Sequence, residues 1–224
     1  MNAEDFMLAA AYGDEAEARE ALVVDSSLAR VRNEAGVSVV AATVYAGRLP
    51  FAREIANTRD DLDLFEAACI GETERVLAIL DENPDMIDDA APDGFAAVGF
   101  AAFFGHSELL EALIERGAAL EIPARNAMQV RPIHSAVAHA DQELALTLTR
   151  ARLAAAADPN ARQQGGETPL HEAVYNENEP LIELLLANGA DAHLRNEDGQ
   201  SPLEQARAEG KDRIAARLTA TVLD

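Results

Sequence analysis

Two histidines at matching positions are the first residues in this sequence that suggest chemistry. His134 and His171 each stand two residues after a proline, at the predicted start of a helix. Imidazole nitrogens are common zinc ligands, so two histidines that stack on neighbouring helices form a possible metal site. A structural role for both histidines is the alternative.

The acidic segment Asp81–Asp85 suggests calcium binding. It places a carboxylate or carboxamide at positions one, three and five of a calcium loop. However, Met86 replaces the glycine of position six, and Pro92 stands where a bidentate glutamate belongs. We therefore expect no calcium site.

Neither the single cysteine nor the paired glycines suggest catalysis. Cys69 is the only cysteine, which excludes an intramolecular disulfide, and its acidic neighbours Glu66 and Glu72 disfavour a reactive thiolate. Gly165–Gly166 lacks the lysine and the preceding strand of a phosphate-binding loop. Because no convergent polar cluster can be assembled from these spacings, the sequence predicts a protein that is not an enzyme and has no cofactor and no metal.

The net charge of the chain limits the classes of molecule that it can bind. Forty acidic residues face 18 basic ones, a net charge of −22. Such a field repels phosphates, so nucleic acids and anionic membranes are disfavoured as ligands. The densest acidic stretch, residues 60–93, contains Arg75 as its only basic residue. Two interpretations stay open: a surface kept soluble by charge, as also occurs in proteins from saline habitats, or a surface for a basic partner.

The sequence also supports expectations about the cellular location and the oligomeric state of the protein. The apolar runs are too short to span a bilayer, and Met1–Phe6 does not have the composition of a signal peptide. We therefore expect a cytoplasmic protein, and a monomer.

The strongest pattern is a repeat, which outweighs any local motif. Positions that end a predicted helix recur every 33 to 37 residues, with one shorter step of 24. These positions are Gly13, Gly47, Gly71, Gly105, Ala140, Glu177 and Gly210. Seven residues earlier stand the apolar anchors Phe6, Val40, Leu64, Val98, Ile133, Leu170 and Leu203. A small residue lies four positions before each end, which lets helices approach closely, and a terminal glycine supplies a left-handed stop.

The best copy carries the string Thr168-Pro169-Leu170-His171 and ends its second helix at Gly189-Ala190. In this it resembles the ankyrin repeat family, and the resemblance covers residues 2–218, with the first three copies degenerate. It implies units of a β-turn finger, an inner helix and an outer helix, which bind proteins and are not catalytic by themselves. It also implies that His134, His171 and His106 are structural, the first two joining neighbouring fingers.

The short step points to a deletion. Residues 1–57 and 59–115 look like two copies of a two-unit block, and the first copy lacks about ten residues near Asn57, where a finger would stand. We expect a notch in the row of fingers there.

The aromatic residues mark the expected binding face. The chain has seven phenylalanines, three tyrosines and no tryptophan. By the family resemblance, the two residues before each inner-helix end face solvent on the concave side, and aromatic residues are common interface anchors. The expected partner-binding residues are Tyr12, Tyr45, Phe95, Phe103, Phe104, His139, Tyr175 and Asn176. Packing of some rings into gaps of degenerate units is the alternative, and Phe100 is expected in the core.

The sequence thus predicts an all-α ankyrin-repeat solenoid, one domain of residues 1–224. Its units are expected at residues 2–33, 34–58, 59–91, 92–126, 127–163, 164–196 and 197–220. Its expected function is non-catalytic recognition of a protein partner through the concave face and the finger tips. The alternatives are an acidic inhibitory or stabilising subunit for a basic partner, and a ligand-binding accessory of an enzyme.

Overall fold

The computed structural model describes residues 1–220 and consists of helices joined by turns. The α-helices within these residues form seven consecutive pairs and are α1 Ala3–Tyr12, α2 Glu15–Val24, α3 Val39–Tyr45, α4 Leu49–Ala56, α5 Leu64–Ile70, α6 Thr73–Glu82, α7 Ala97–Phe103, α8 Ser107–Glu115, α9 Pro132–Val137, α10 Gln142–Ala154, α11 Pro169–Tyr175, α12 Glu179–Ala187, α13 Pro202–Ala208 and α14 Asp212–Ala220. The predicted all-α class with two helices per unit is confirmed. None of the helices described here is both long and apolar enough to cross a membrane.

The chain divides into two compact units. The first is Met1–Phe100, which holds α1 to α6; the second begins at Ala101 and holds α8 to α14, and α7 spans the boundary. The single domain of residues 1–224 stays a prediction, and its last four residues lie outside those described.

The predicted register places the core correctly. All seven apolar anchors are buried, from Phe6 in α1 to Leu203 in α13, and so are the small residues that follow them, from Ala9 to Ala206. Burial of one such aliphatic or aromatic side chain contributes about 1.5–3 kcal/mol. Ser201 shows how a unit begins: its hydroxyl accepts from the Glu204 N–H, and its own N–H donates to the Glu204 carboxylate. The two bonds satisfy donors that the helix start leaves open.

The helix ends follow the prediction at five of the seven positions, and Ala140 is not left-handed. Gly47, Gly71, Gly105 and Gly210 are left-handed, and Glu177 adopts the same conformation with φ 53°. The prediction is wrong at Gly13, whose φ is −102°. Glycine is needed there for space instead, because an added Cβ would lie 2.9 Å from the Ala9 Cα.

The predicted notch is also wrong, because the fingers on either side of the deletion meet. Antiparallel bridges Arg32–Ser38 and Ala90–Ala96 close the fingers that lead into α3 and α7. An added Cβ on Gly36, at the tip of the first, would lie 3.1 Å from the Pro92 Cβ in the second. The cavity left beside them has a volume of about 10 Å³, room for one water at most.

Ion pairs occupy the place of the missing finger. Residues 57–63 connect α4 to α5. Arg59 from this connection lies 2.5 Å from the Glu66 carboxylate, and both side chains are almost completely buried. The same carboxylate is 3.3 Å from Arg32, which also pairs with Asp63 at 2.7 Å. The deletion therefore leaves no open gap, because buried and half-exposed ion pairs occupy the space of the missing finger.

Candidate functional site

Seven of the eight predicted binding residues lie at or just after the ends of the first helices of the pairs, and Phe95 lies in the finger that leads into α7. Four of them are exposed: Tyr12 by 73%, Tyr175 by 66%, Phe103 by 47% and Tyr45 by 40%. The other four, Phe95, Phe104, His139 and Asn176, are half-buried. Each first helix is short and ends in a tight turn, which leaves its last side chains without cover from their own unit. Phe100, by contrast, is buried, as expected.

In the first compact unit, Met1–Phe100, Tyr45 is held in a fixed orientation. Its hydroxyl donates to the Asp93 carboxylate at 2.6 Å, and burial, together with this bond, raises the pKa of the phenol. The ring packs on Phe100 at 6.5 Å, and Phe95 packs on the same ring at 5.9 Å. Because the ring is already ordered, a partner that covers it loses little side-chain entropy.

Tyr12 lines a groove of about 460 Å³ in the same unit. Met7 and Leu8 share this groove with it, and Glu4 and Glu34 stand along it. Sequence reasoning missed Leu8, which is exposed although it precedes Tyr12 by one helical turn and therefore shares its face. We call this the amino-terminal groove.

The cation of the amino-terminal groove is neutralised. Arg32 lines the groove, but its guanidinium pairs with Asp63 and Glu66 and donates to the Gly36 carbonyl at 3.1 Å. The acidic side chains Glu4 and Glu34 therefore dominate the charge that a ligand meets in the groove.

In the second compact unit, which begins at Ala101, Phe103 and Phe104 form an aromatic pair. Their rings meet edge to face with centroids 5.0 Å apart, and Phe104 lies 6.3 Å from the His106 ring. His139 packs over Gly105, where an added Cβ would come within 2.9 Å of the imidazole Nε2 and 2.6 Å of the Leu144 Cδ2. The glycine thus ends α7 and also makes room for two side chains of the next pair of helices.

Tyr175 and Asn176 differ in their availability. Lys211 lies 5.7 Å above the Tyr175 ring and donates to the carbonyls of Val174 and Tyr175 at 3.0 Å. The rest of the tyrosine ring is open to solvent. The Asn176 amide already donates to the Glu172 carboxylate at 3.0 Å, so it contributes less than Tyr175 to any interface.

The two histidines that suggested a metal site bind backbone carbonyls of the following fingers. The His134 Nε2 lies 3.3 Å from the Glu167 carbonyl, and the His171 Nε2 lies 3.1 Å from the Gln200 carbonyl. Burial lowers the pKa of His134 to about 4, so its ring is neutral at pH 7. The geometry supports the structural role for both residues.

Cys69 and the acidic stretch also have structural explanations. Cys69 is fully buried, and burial raises its thiol pKa well above the usual range, which disfavours the thiolate form. Within residues 60–93, Asp61, Asp63 and Glu66 pair with arginines that lie outside that stretch, namely Arg30, Arg32 and Arg59. Part of the acidic stretch is therefore neutralised internally and does not act as a free surface.

Comparison with known protein families found a match in the second half of the chain. A family model described as ankyrin repeats (many copies) matches residues 153–206, which run from the end of α10 into α13. No curated protein matches the chain.

Proposed function

We propose, on the premise that this chain is an ankyrin-repeat protein, that it recognises a partner protein and catalyses no reaction itself. Ankyrin repeats are generally protein–protein interaction modules and typically not catalytic. The observation that carries the proposal is the exposure of large aromatic rings at the ends of four of the seven inner helices, Tyr12, Tyr45, Phe103 and Tyr175.

The exposed rings have the properties of interface anchors. Aromatic residues are enriched among the few side chains that dominate binding energy. Phe103 and Phe104 already order each other, and Tyr45 is tethered to Asp93. We assign these residues the role of anchors, and we assign Phe95, His139 and Asn176 the role of secondary contacts.

Replacing Phe103 and Phe104 together by alanine should abolish partner capture and leave the fold nearly intact. Burying one such ring in an interface contributes on the order of 2 kcal/mol, so losing two reduces affinity by about a thousandfold. The partner is first identified by capture with the wild-type chain and mass spectrometry, and the purified partner is then titrated against both proteins.

The control for this pair is the double variant Val23→Ala/Val24→Ala. These two residues are also adjacent and exposed, but they end an outer helix, so their loss should leave binding unchanged. Thermal melting of all three proteins tests the fold. A stable Phe103/Phe104 variant that binds normally, or one that has lost several kcal/mol of stability, would contradict the anchor role.

A basic segment of the partner is the second candidate, favoured by the amino-terminal groove. Its apolar floor at Met7, Leu8 and Tyr12 and the carboxylates of Glu4 and Glu34 suit an apolar side chain next to lysine or arginine. In this form the protein is an acidic inhibitory or stabilising subunit for its partner.

The salt dependence of association tests this candidate. The rate should fall steeply between low and physiological salt, because surface fields are screened beyond about 10 Å at 0.1 M. Glu4→Gln/Glu34→Gln should reduce both the rate and its salt dependence, and Glu17→Gln/Glu20→Gln, on the exposed side of α2, should have a smaller effect. Equal effects of the two double variants would show that net charge alone, and not the groove, attracts the partner.

A further inference from the structure

Arg152 occupies a position that belongs to a core leucine. Leu113 in α8 and Leu185 in α12 each stand four residues before a left-handed glycine, Gly117 and Gly189, and both are fully buried. Arg152 in α10 has the same spacing to the left-handed Ala156, and it too is 0% exposed. The α9–α10 pair therefore places an arginine where the neighbouring pairs place an apolar side chain.

The guanidinium of Arg152 has no partner in this position. Its three nitrogens make no hydrogen bond within residues 1–220. The acid with the largest influence on it, Glu121, is engaged elsewhere: its carboxylate accepts from the Asp158 N–H at 2.9 Å and lies 3.5 Å from Arg131. Burial lowers the pKa of Arg152 to about 9, which still leaves it charged at pH 7.

Two further features weaken the same pair of helices. Thr149, one turn before Arg152, and Ser135 in α9 are buried with hydroxyls that have no hydrogen-bond partner. Buried polar groups without partners are costly, and an unpaired buried charge is the most costly of all. Ala156 is left-handed with φ 65°, a conformation that disfavours a residue with a Cβ.

We propose that the α9–α10 pair is a locally opening segment, which exchanges between the packed form and an open form with Arg152 in water. In repeat proteins each unit contacts only its neighbours, so one unit can open while others stay folded. In the adjoining pair α11–α12, the positions that correspond to Thr149 and Arg152 hold the apolar residues Ile182 and Leu185. We expect that pair to remain packed.

Opening would also change the proposed binding face. His139, which follows α9, and Leu144 in α10 both pack against the position of Gly105, next to Phe104. When α9 and α10 leave their packed positions, the surroundings of Phe104 are lost. This consequence rests on the proposed function, but the opening itself does not, and it is measurable without any partner.

Hydrogen exchange of the full chain, followed by mass spectrometry, tests the opening. The buried amides of α9 and α10 should exchange at least about tenfold faster than those of α11 and α12. Arg152→Leu should slow exchange in α9 and α10 by roughly a hundredfold, the size expected from removing an unpaired buried charge. Arg152→Met, with an unbranched chain of similar length, should act in the same direction.

The matched control is Arg150→Leu, which removes the same charge from an exposed position of the same helix and should leave exchange unchanged. Equal protection of α9–α10 and α11–α12 in the wild type would overturn the proposal. So would unchanged or faster exchange in both Arg152 variants, or an equal slowing by Arg150→Leu. Failure of the Phe103/Phe104 binding test, in contrast, leaves the exchange result standing.

Discussion

Replacing Arg59 by alanine should lower the free energy of unfolding by about 3 kcal/mol, the lower end of the range for breaking a buried ion pair. The change leaves the Glu66 carboxylate in a site where only 3% of its side chain is exposed. Arg32 at 3.3 Å offsets part of this cost, but it is shared with Asp63. The loss is measured by urea unfolding followed by circular dichroism.

The matched control is Arg30→Ala, which breaks the ion pair with Asp61 at 2.8 Å. Both of its side chains are about half exposed, and exposed pairs contribute only about 0–1 kcal/mol. The double variant Arg59→Met/Glu66→Leu should recover most of the stability, since apolar residues of similar size replace buried pairs well. Equal losses for Arg59→Ala and Arg30→Ala would show that burial of the first pair is unimportant.

This ion pair shows why one part of the fold was not predictable. In the sequence Glu66 is one acid in a run from Asp60 to Asp93, and no pattern assigns it an arginine. Its partners, Arg59 and Arg32, come from the connection after α4 and from the finger before α3. The absence of a finger between these two segments brings them together. The deletion was visible as a short repeat step, but the closure of the gap by Gly36 and Pro92 depends on how two fingers bend.

The core positions, in contrast, were predictable because they follow from a period. An anchor such as Leu170 and a small residue such as Ala173 recur at fixed spacing, and a helix pair must bury both. Arg152 is an exception to this pattern, and the period indicates it only in part. The spacing places Arg152 four residues before Ala156, as Leu185 stands before Gly189, but only the structure shows that the guanidinium is buried. A long side chain at such a position commonly turns its charge toward water.

Exposure was predictable for four of the eight candidate residues, but the contacts that hold these side chains in place were not predictable. Tyr12 and Tyr175 lie in the open as expected. The bond from Tyr45 to Asp93 joins residues 48 apart in sequence, and the packing of His139 over Gly105 involves the next helix pair. Both contacts depend on the arrangement of different units, which a single-chain pattern does not specify.

Leu185→Ala should be the second strongly destabilising change, with a loss of about 2–5 kcal/mol. Leu185 is fully buried in the core of the second unit, where Ile182, Val174 and Ile214 belong to the same apolar cluster. Removing three side-chain carbons there forfeits their burial and leaves a cavity that rigid helices fill only in part. Urea unfolding of the full chain measures the loss.

The control in the same helix pair is Tyr175→Ala, a larger truncation at an exposed site. It should cost less than about 1 kcal/mol, the weak contact with Lys211 included. A loss below about half a kilocalorie per mole for Leu185→Ala would mean that the register of α12 is wrong. The comparison also bears on Arg152, which has the equivalent position in α10: truncating the leucine should destabilise the chain, whereas replacing the arginine by leucine should stabilise it. Opposite signs at one repeat position would show that the packing site is the same in both units and that only its occupant differs.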